Sequence, residues 1–124
     1  MGPTTHGIGT TETTGREVEL VRQFIDAFNA RDVDGVRAVV TDDVQFRNRR
    51  GKSFVGPDGV RDVVRAAADA RLTLLRDGEP RTDDHGARVY LPVRVQLGRD
   101  EMHETAVFDV RDGRIAGFEA IPGD

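Results

Sequence analysis

The chain contains no cysteine. That absence excludes disulfide frameworks, thiol nucleophiles, zinc–thiolate sites and iron–sulfur clusters. A basic excess is missing too: 18 Lys and Arg face 22 Asp and Glu, a formal net charge of −4. Neither nucleic acid nor an anionic membrane is therefore an expected partner. No apolar run is long enough to span a bilayer. The opening MGPTTHGIGTTETTG has neither the basic n-region nor the apolar h-region of a secretory signal. A cytoplasmic location is the expectation.

What is present fits one domain. The 124 residues are 37% hydrophobic and 32% charged, enough for a modest core. Residues 1–15, rich in Gly and Thr, read as a flexible lead-in, leaving 16–124 as a single domain. Thr14 and Glu17 form a capping-box pattern. Val21, Phe24, Ile25 and Phe28 then recur at helical spacing, which predicts an amphipathic helix to about Arg31. Asp32 is placed to cap a short second helix carrying Val33, Val36, Val39 and Val40. Asp43–Asn48 alternates as a strand, and Ser53–Val55 follows a turn as its short partner. Gly56-Pro57-Asp58 starts a third helix that ends near Ala70.

The remainder reads as strands: Arg71–Arg76, Ala87–Leu97, Glu101–Val110 and Arg114–Ile121. Gly98-Arg99-Asp100 and Asp112-Gly113 supply hairpin turns. Pro92 lacks a ladder donor, so a bulge or an edge is expected there. Three helices followed by a long antiparallel meander is an α+β order. A strongly bent antiparallel sheet around the helices would bury the apolar faces and leave a hollow where the layers diverge.

The segments VRQFIDAFNARDVDGVRAVVTDDVQFRN, GPDGVRDVVR and AVFDVRDGRIAGFEAI, in that order, resemble the nuclear transport factor 2-like superfamily. Within it they are similar to the SnoaL-like polyketide cyclase, ketosteroid isomerase and limonene epoxide hydrolase branches. The resemblance covers Arg16 to Pro122. It implies a cone-shaped, cystatin-like α+β roll: a bent sheet whose concave side, closed by helices, holds an apolar pocket. Function varies widely on this fold, so each functional position is compared separately. The tyrosine that donates to substrate in ketosteroid isomerases falls at Phe24, and their general-base aspartate falls at Asn48. Their protonated oxyanion-hole acid falls near Ala106. In limonene epoxide hydrolases the water-positioning tyrosine and asparagine correspond to Phe46 and Asn48. Their Asp–Arg–Asp group corresponds to Val95, Val93 and Ala120, so no carboxylate is left to activate water. The resemblance thus implies a pocket without the catalytic side chains of either branch.

Strand parity gives a matching lining. Val44, Phe46 and Asn48 share a face, as do the odd positions from Val89 to Leu97. Met102, Ala106, Phe108 and Val110, then Ala116, Phe118 and Ala120, turn the same way. Expected ligand contacts are Phe24, Phe28, Phe46, Asn48, Val93, Val95, Met102, Ala106, Phe108, Phe118 and Ala120. Asn48 and Glu104 are the polar exceptions and the candidate catalytic pair. A carboxylate on an apolar face is raised in pKa by desolvation and can act as acid or base. The commoner alternative places Glu104 at the open end of its strand with its head group in water. Asn48 either orients a ligand or bonds to neighbouring backbone.

Other candidates weigh less. His103 adjoins Glu104, but strand alternation sends the two to opposite faces, putting His103 on the convex side. Asp83-Asp84-His85 has no further ligand at metal spacing, so no metal and no cofactor are expected. Arg47, Arg49 and Arg50 form a basic hairpin, suited to solvent or to steering an anion. The convex face carries Arg88, Tyr90, Arg94 and Gln96 beside Glu101, His103, Thr105, Val107, Asp109 and Glu119. That mixture suits solvent or a sheet-to-sheet homodimer.

Three functions follow as expectations. The first is binding of a small apolar molecule, polycyclic ones included. The second is an isomerase, cyclase or epoxide-hydrolase type of enzyme using Glu104 and Asn48. The third is a homodimeric interaction module.

Overall fold

The computed structural model describes residues 2–48, 50–83 and 87–122, with side chains described from Gly15 onward. Helix α1 runs Gly2–Asn29. Its backbone therefore continues through the segment read as a lead-in, and through the Thr14–Glu17 pattern read as its start. The side chains of 1–14 lie outside the described residues. Val21, Phe24, Ile25 and Phe28 are all buried, as their spacing requires.

The helix stops two residues earlier than the expected Arg31. Arg31 takes a left-handed φ of 60°, and the Asp32 N–H donates to Ala27 O at 2.9 Å, the six-to-one bond of a Schellman end. An arginine at this conformation is strained, but its guanidinium donates to Leu72 O at 2.6 Å and so ties the helix end to a strand. Asp32 then caps α2 (Val33–Val39), its Oδ1 accepting from the Gly35 N–H at 3.0 Å. A Cβ on Gly35 would lie 2.5 Å from Asp32 Oδ2, so the cap needs glycine there.

Strand β1 (Val40–Arg47) turns into β2 (Ser53–Val55), and α3 (Gly56–Asp69) starts at once with Pro57 in its first turn. β3 (Leu72–Arg76), the two-residue β4 (Arg81–Thr82), β5 (Arg88–Leu97), β6 (Asp100–Arg111) and β7 (Arg114–Pro122) complete the chain. β4 is too short to leave a sequence pattern. The β6–β7 loop has Asp112 and Gly113 both at positive φ, the type I′ geometry that Asp-Gly favours.

The strands form one sheet in the order β2-β1-β7-β6-β5-β3, with β4 also on β5. It is mixed rather than wholly antiparallel, because β1 and β7 pair in parallel. The intervening α3 and strands make a connection long enough to bring the chain back in the same direction. Pro92 causes no bulge: the β5–β6 register is continuous across it. Its carbonyl accepts from the Asp77 N–H at 2.8 Å, so the donorless nitrogen faces the same side. There β3 has ended and β4 has not begun, which gives the edge-like setting that proline tolerates.

The two sheet faces separate by chemistry as alternation requires. The convex face carries Arg88–Asp109 at 2.8 Å and His103 Nδ1 at 3.1 Å from Asp77 Oδ2. Arg94 stands between Asp77 and Glu101. Arg111 and the Thr41 hydroxyl hold the Asp43 carboxyl below the usual carboxylate range. The concave face is apolar and buries the helices.

Candidate functional site

The layers touch at one end and separate at the other. At the closed end Phe24 is fully buried at the centre of an aromatic cluster. Its ring centroid lies 5.7 Å from Phe28, 6.0 Å from Phe46, and 5.5 Å from both Phe108 and Phe118. At the other end α3, the β1–β2 hairpin and the concave faces of β3, β5, β6 and β7 surround a cavity of about 350 Å³.

Small side chains at the C-terminal end of α3 and at its cap keep this space open. Ala66, Ala67 and Ala70 face it where a longer apolar residue would fill it, and Ala120 does the same from β7. Phe28, Phe46 and Phe118 close its inner end, while Val95, Leu97, Leu72 and Leu74 form the strand wall. Of the residues expected to contact a ligand, Phe28, Phe46, Asn48, Val95, Met102, Phe118 and Ala120 reach the cavity, and so does Glu104.

Phe24, Val93, Ala106 and Phe108 do not. All four are at most 1% exposed and belong to the solid core behind the wall. Parity assigns a residue to a face, but depth along the cone decides whether that face meets a hollow or another side chain. The α3 alanines, Val63 and Phe54 are lining residues that sequence reasoning assigned to core or left aside. The run of alanines on one helical face was the available signal.

Glu104 is 4% exposed and borders the cavity. The water-facing alternative is therefore not the observed one. β6 begins at Asp100, so Glu104 stands a full turn of the pleat inside the sheet, opposite Val93 and Pro122. His103 points the other way and is bonded to Asp77.

Of its two expected roles, Asn48 shows the bonding to neighbouring backbone. Its Oδ1 accepts from the Arg50 and Lys52 N–H groups, each at 3.0 Å, and its own N–H donates to Lys52 O at 2.9 Å. These bonds build the hairpin at the cavity mouth and leave Nδ2 as the group Asn48 can offer a ligand. Arg50 and Arg47 also border the mouth, and both are exposed. Arg47 is paired in register with Glu119 and shares the outer face with it. Arg49, Asp84 and His85 lie outside the described residues, and among the described residues no three acidic or histidine side chains converge.

The sequence profile of the SnoaL-like domain matches residues 21–118, nearly the whole of this architecture. The chain belongs to the SnoaL-like family. Solved structures agree with the profile. A provisionally named polyketide cyclase from Xanthomonas campestris superposes with a TM-score of 0.74 at 25% identity, covering 87% of this chain and 90% of that one. SalBIII, an epoxide hydrolase/cyclase-like enzyme with a role in forming the pyran ring of the polyether salinomycin, gives 0.76 at 17% identity, with 89% and 92% covered. A cystatin-fold protein from Novosphingobium aromaticivorans gives 0.72 at 23%, with 85% and 97% covered. No curated protein matches the chain. The last two likenesses establish the fold alone. In this SnoaL-like domain no helix among the described residues is long and apolar enough to cross a membrane.

Proposed function

We propose that this SnoaL-like domain binds a small, mostly apolar molecule in its cavity, in the cytoplasm, without the catalytic side chains of the isomerase and epoxide hydrolase branches. The observation that carries this reading is the open, alanine-floored cavity of about 350 Å³. Ligand pockets run from roughly 300 to 1,000 Å³, so this one suits a molecule of one or two rings better than an extended polycycle. The positions that the resemblance assigns to catalysis hold Phe24, Phe46, Asn48, Val93, Val95, Ala106 and Ala120, none of which is an acid or a base at ordinary pH. A second copy of the chain would pair through the convex face, which carries charges of both signs.

The test uses 2-naphthalenemethanol, an uncharged two-ring probe, titrated by its fluorescence. Saturable binding is expected. Ala66→Trp, at an exposed α3 position bordering the cavity, is expected to weaken it at least about tenfold, since a filled cavity forfeits most of the burial that drives binding. Equal affinity in wild type and Ala66→Trp would place the probe elsewhere.

A second reading is supported by the burial of Glu104: the same domain as an isomerase, cyclase or epoxide-hydrolase type of catalyst. In that reading Glu104 exchanges a proton with the bound molecule while Asn48 Nδ2 holds a polar substituent. A positioned proton-transfer group contributes roughly 10²- to 10⁴-fold. Glu104→Gln should therefore lower turnover at least about a hundredfold. Turnover unchanged in Glu104→Gln would remove the residue from any mechanism.

A further inference from the structure

The cavity is lined mainly by apolar side chains inside, while its rim at the β1–β2 hairpin carries Arg50 and Lys52, both exposed. Arg50 borders the cavity directly, and the Lys52 ammonium stands 5.0 Å over the ring of Phe54, itself part of the wall. Arg61, Arg88, Arg94 and Arg111 form ion pairs with Asp58, Asp109, Glu101 and Asp43. Among the described residues no ion pair engages Arg50 or Lys52. Cations at the mouth of an apolar cleft raise the local concentration of anions there.

From this juxtaposition we infer that the ligand is an apolar molecule bearing a carboxylate, its rings in the cavity and its anionic group at the hairpin beside Arg50 and Lys52. The inference rests on the ligand-binding reading above. The rim attracts the carboxylate while the aromatic and aliphatic wall favours the rings, so the ligand enters with its anion outward. The Asn48 Nδ2 group at the same turn adds a neutral donor beside the cations. Arg47 is left out of the assignment, because it shares the outer face with Glu119.

The experiment compares two probes with the same rings, 2-naphthoate and 2-naphthalenemethanol, at low and at raised NaCl. It is run on the wild type and on the double variant Arg50→Gln/Lys52→Gln, whose exposed positions leave the core untouched. Two exposed charge contacts predict naphthoate binding about fivefold or more tighter than the alcohol at low salt. That advantage should shrink as salt screens it and vanish in the double variant, which should bind the two probes alike. Equal binding of the two probes by the wild type, or an advantage that survives in the double variant, overturns the inference and leaves the apolar site standing. If neither probe binds, the ligand-binding reading fails and this inference falls with it.

Discussion

Phe24→Ala is expected to destabilise the domain by about 3–5 kcal/mol, measured by urea unfolding. The ring is completely buried and touches four others, so its loss removes apolar burial and leaves a void that those rings cannot close without moving. Domains of this size are stable by only about 5–15 kcal/mol, so the variant should be marginal at 25 °C. Phe24→Leu keeps most of the volume and should cost less than half as much. Phe24→Tyr separates two ideas about this position. In ketosteroid isomerases the matching tyrosine hydroxyl reaches the substrate. Here the ring lies behind the cavity wall, among Phe28, Phe46, Phe108 and Phe118. The added hydroxyl should cost about 1–3 kcal/mol as a buried group seeking a partner, and leave naphthalenemethanol affinity where it was. A tighter-binding Phe24→Tyr protein would show that the hydroxyl does reach the ligand.

Periodicity makes most of the architecture legible in the sequence. The stripe from Val21 to Phe28, the Asp32 cap, the start at Pro57 and the Asp112-Gly113 turn are local rules, each satisfied within a few residues of itself. The parallel join of β1 to β7 was not legible, because it depends on how a connection of dozens of residues returns. The same division runs through the site. Parity named the right face for Phe46, Val95, Met102 and Ala120, all of which line the cavity. It also named Val93, Ala106 and Phe108, which are on that face but in the closed end, where helical spacing likewise placed Phe24. Period-two alternation carries no information on the distance to the opposite layer. That distance is set by the α3 alanines, contributed by an element remote in sequence from most of the strands they face. Glu104 shows the same limit for a polar residue. Its face was readable, whereas its burial depended on where β6 begins and on β7 reaching Pro122 beside it.

The second large effect concerns the outer edge of β3, where the cavity wall is fastened to α1. Leu74 is paired through β5 on one side, and on the other its backbone meets the side chain of Asn29. The Asn29 Nδ2 group donates to Leu74 O at 2.8 Å, and the Leu74 N–H donates to Asn29 Oδ1 at 3.0 Å. One amide thus occupies both groups that a further strand would have used, and Arg31 occupies Leu72 O two residues earlier. Asn29→Ala leaves a backbone donor and an acceptor without partners at a buried residue, an expected cost of about 2–4 kcal/mol in urea unfolding. Because Leu72 and Leu74 line the cavity, the same variant should also weaken naphthalenemethanol binding. The freed edge is a template for pairing with another chain, so light scattering should report concentration-dependent association that the wild type lacks. Arg31 allows an internal check. Arg31→Ala loses the bond to Leu72 O but keeps the left-handed backbone, whereas Arg31→Gly loses the bond and relieves the strain. Glycine should therefore be the milder substitution by about 1 kcal/mol. If alanine is as mild as glycine, the left-handed backbone at Arg31 stores no strain, and if Asn29→Ala unfolds like the wild type, the edge is secured by something other than that amide.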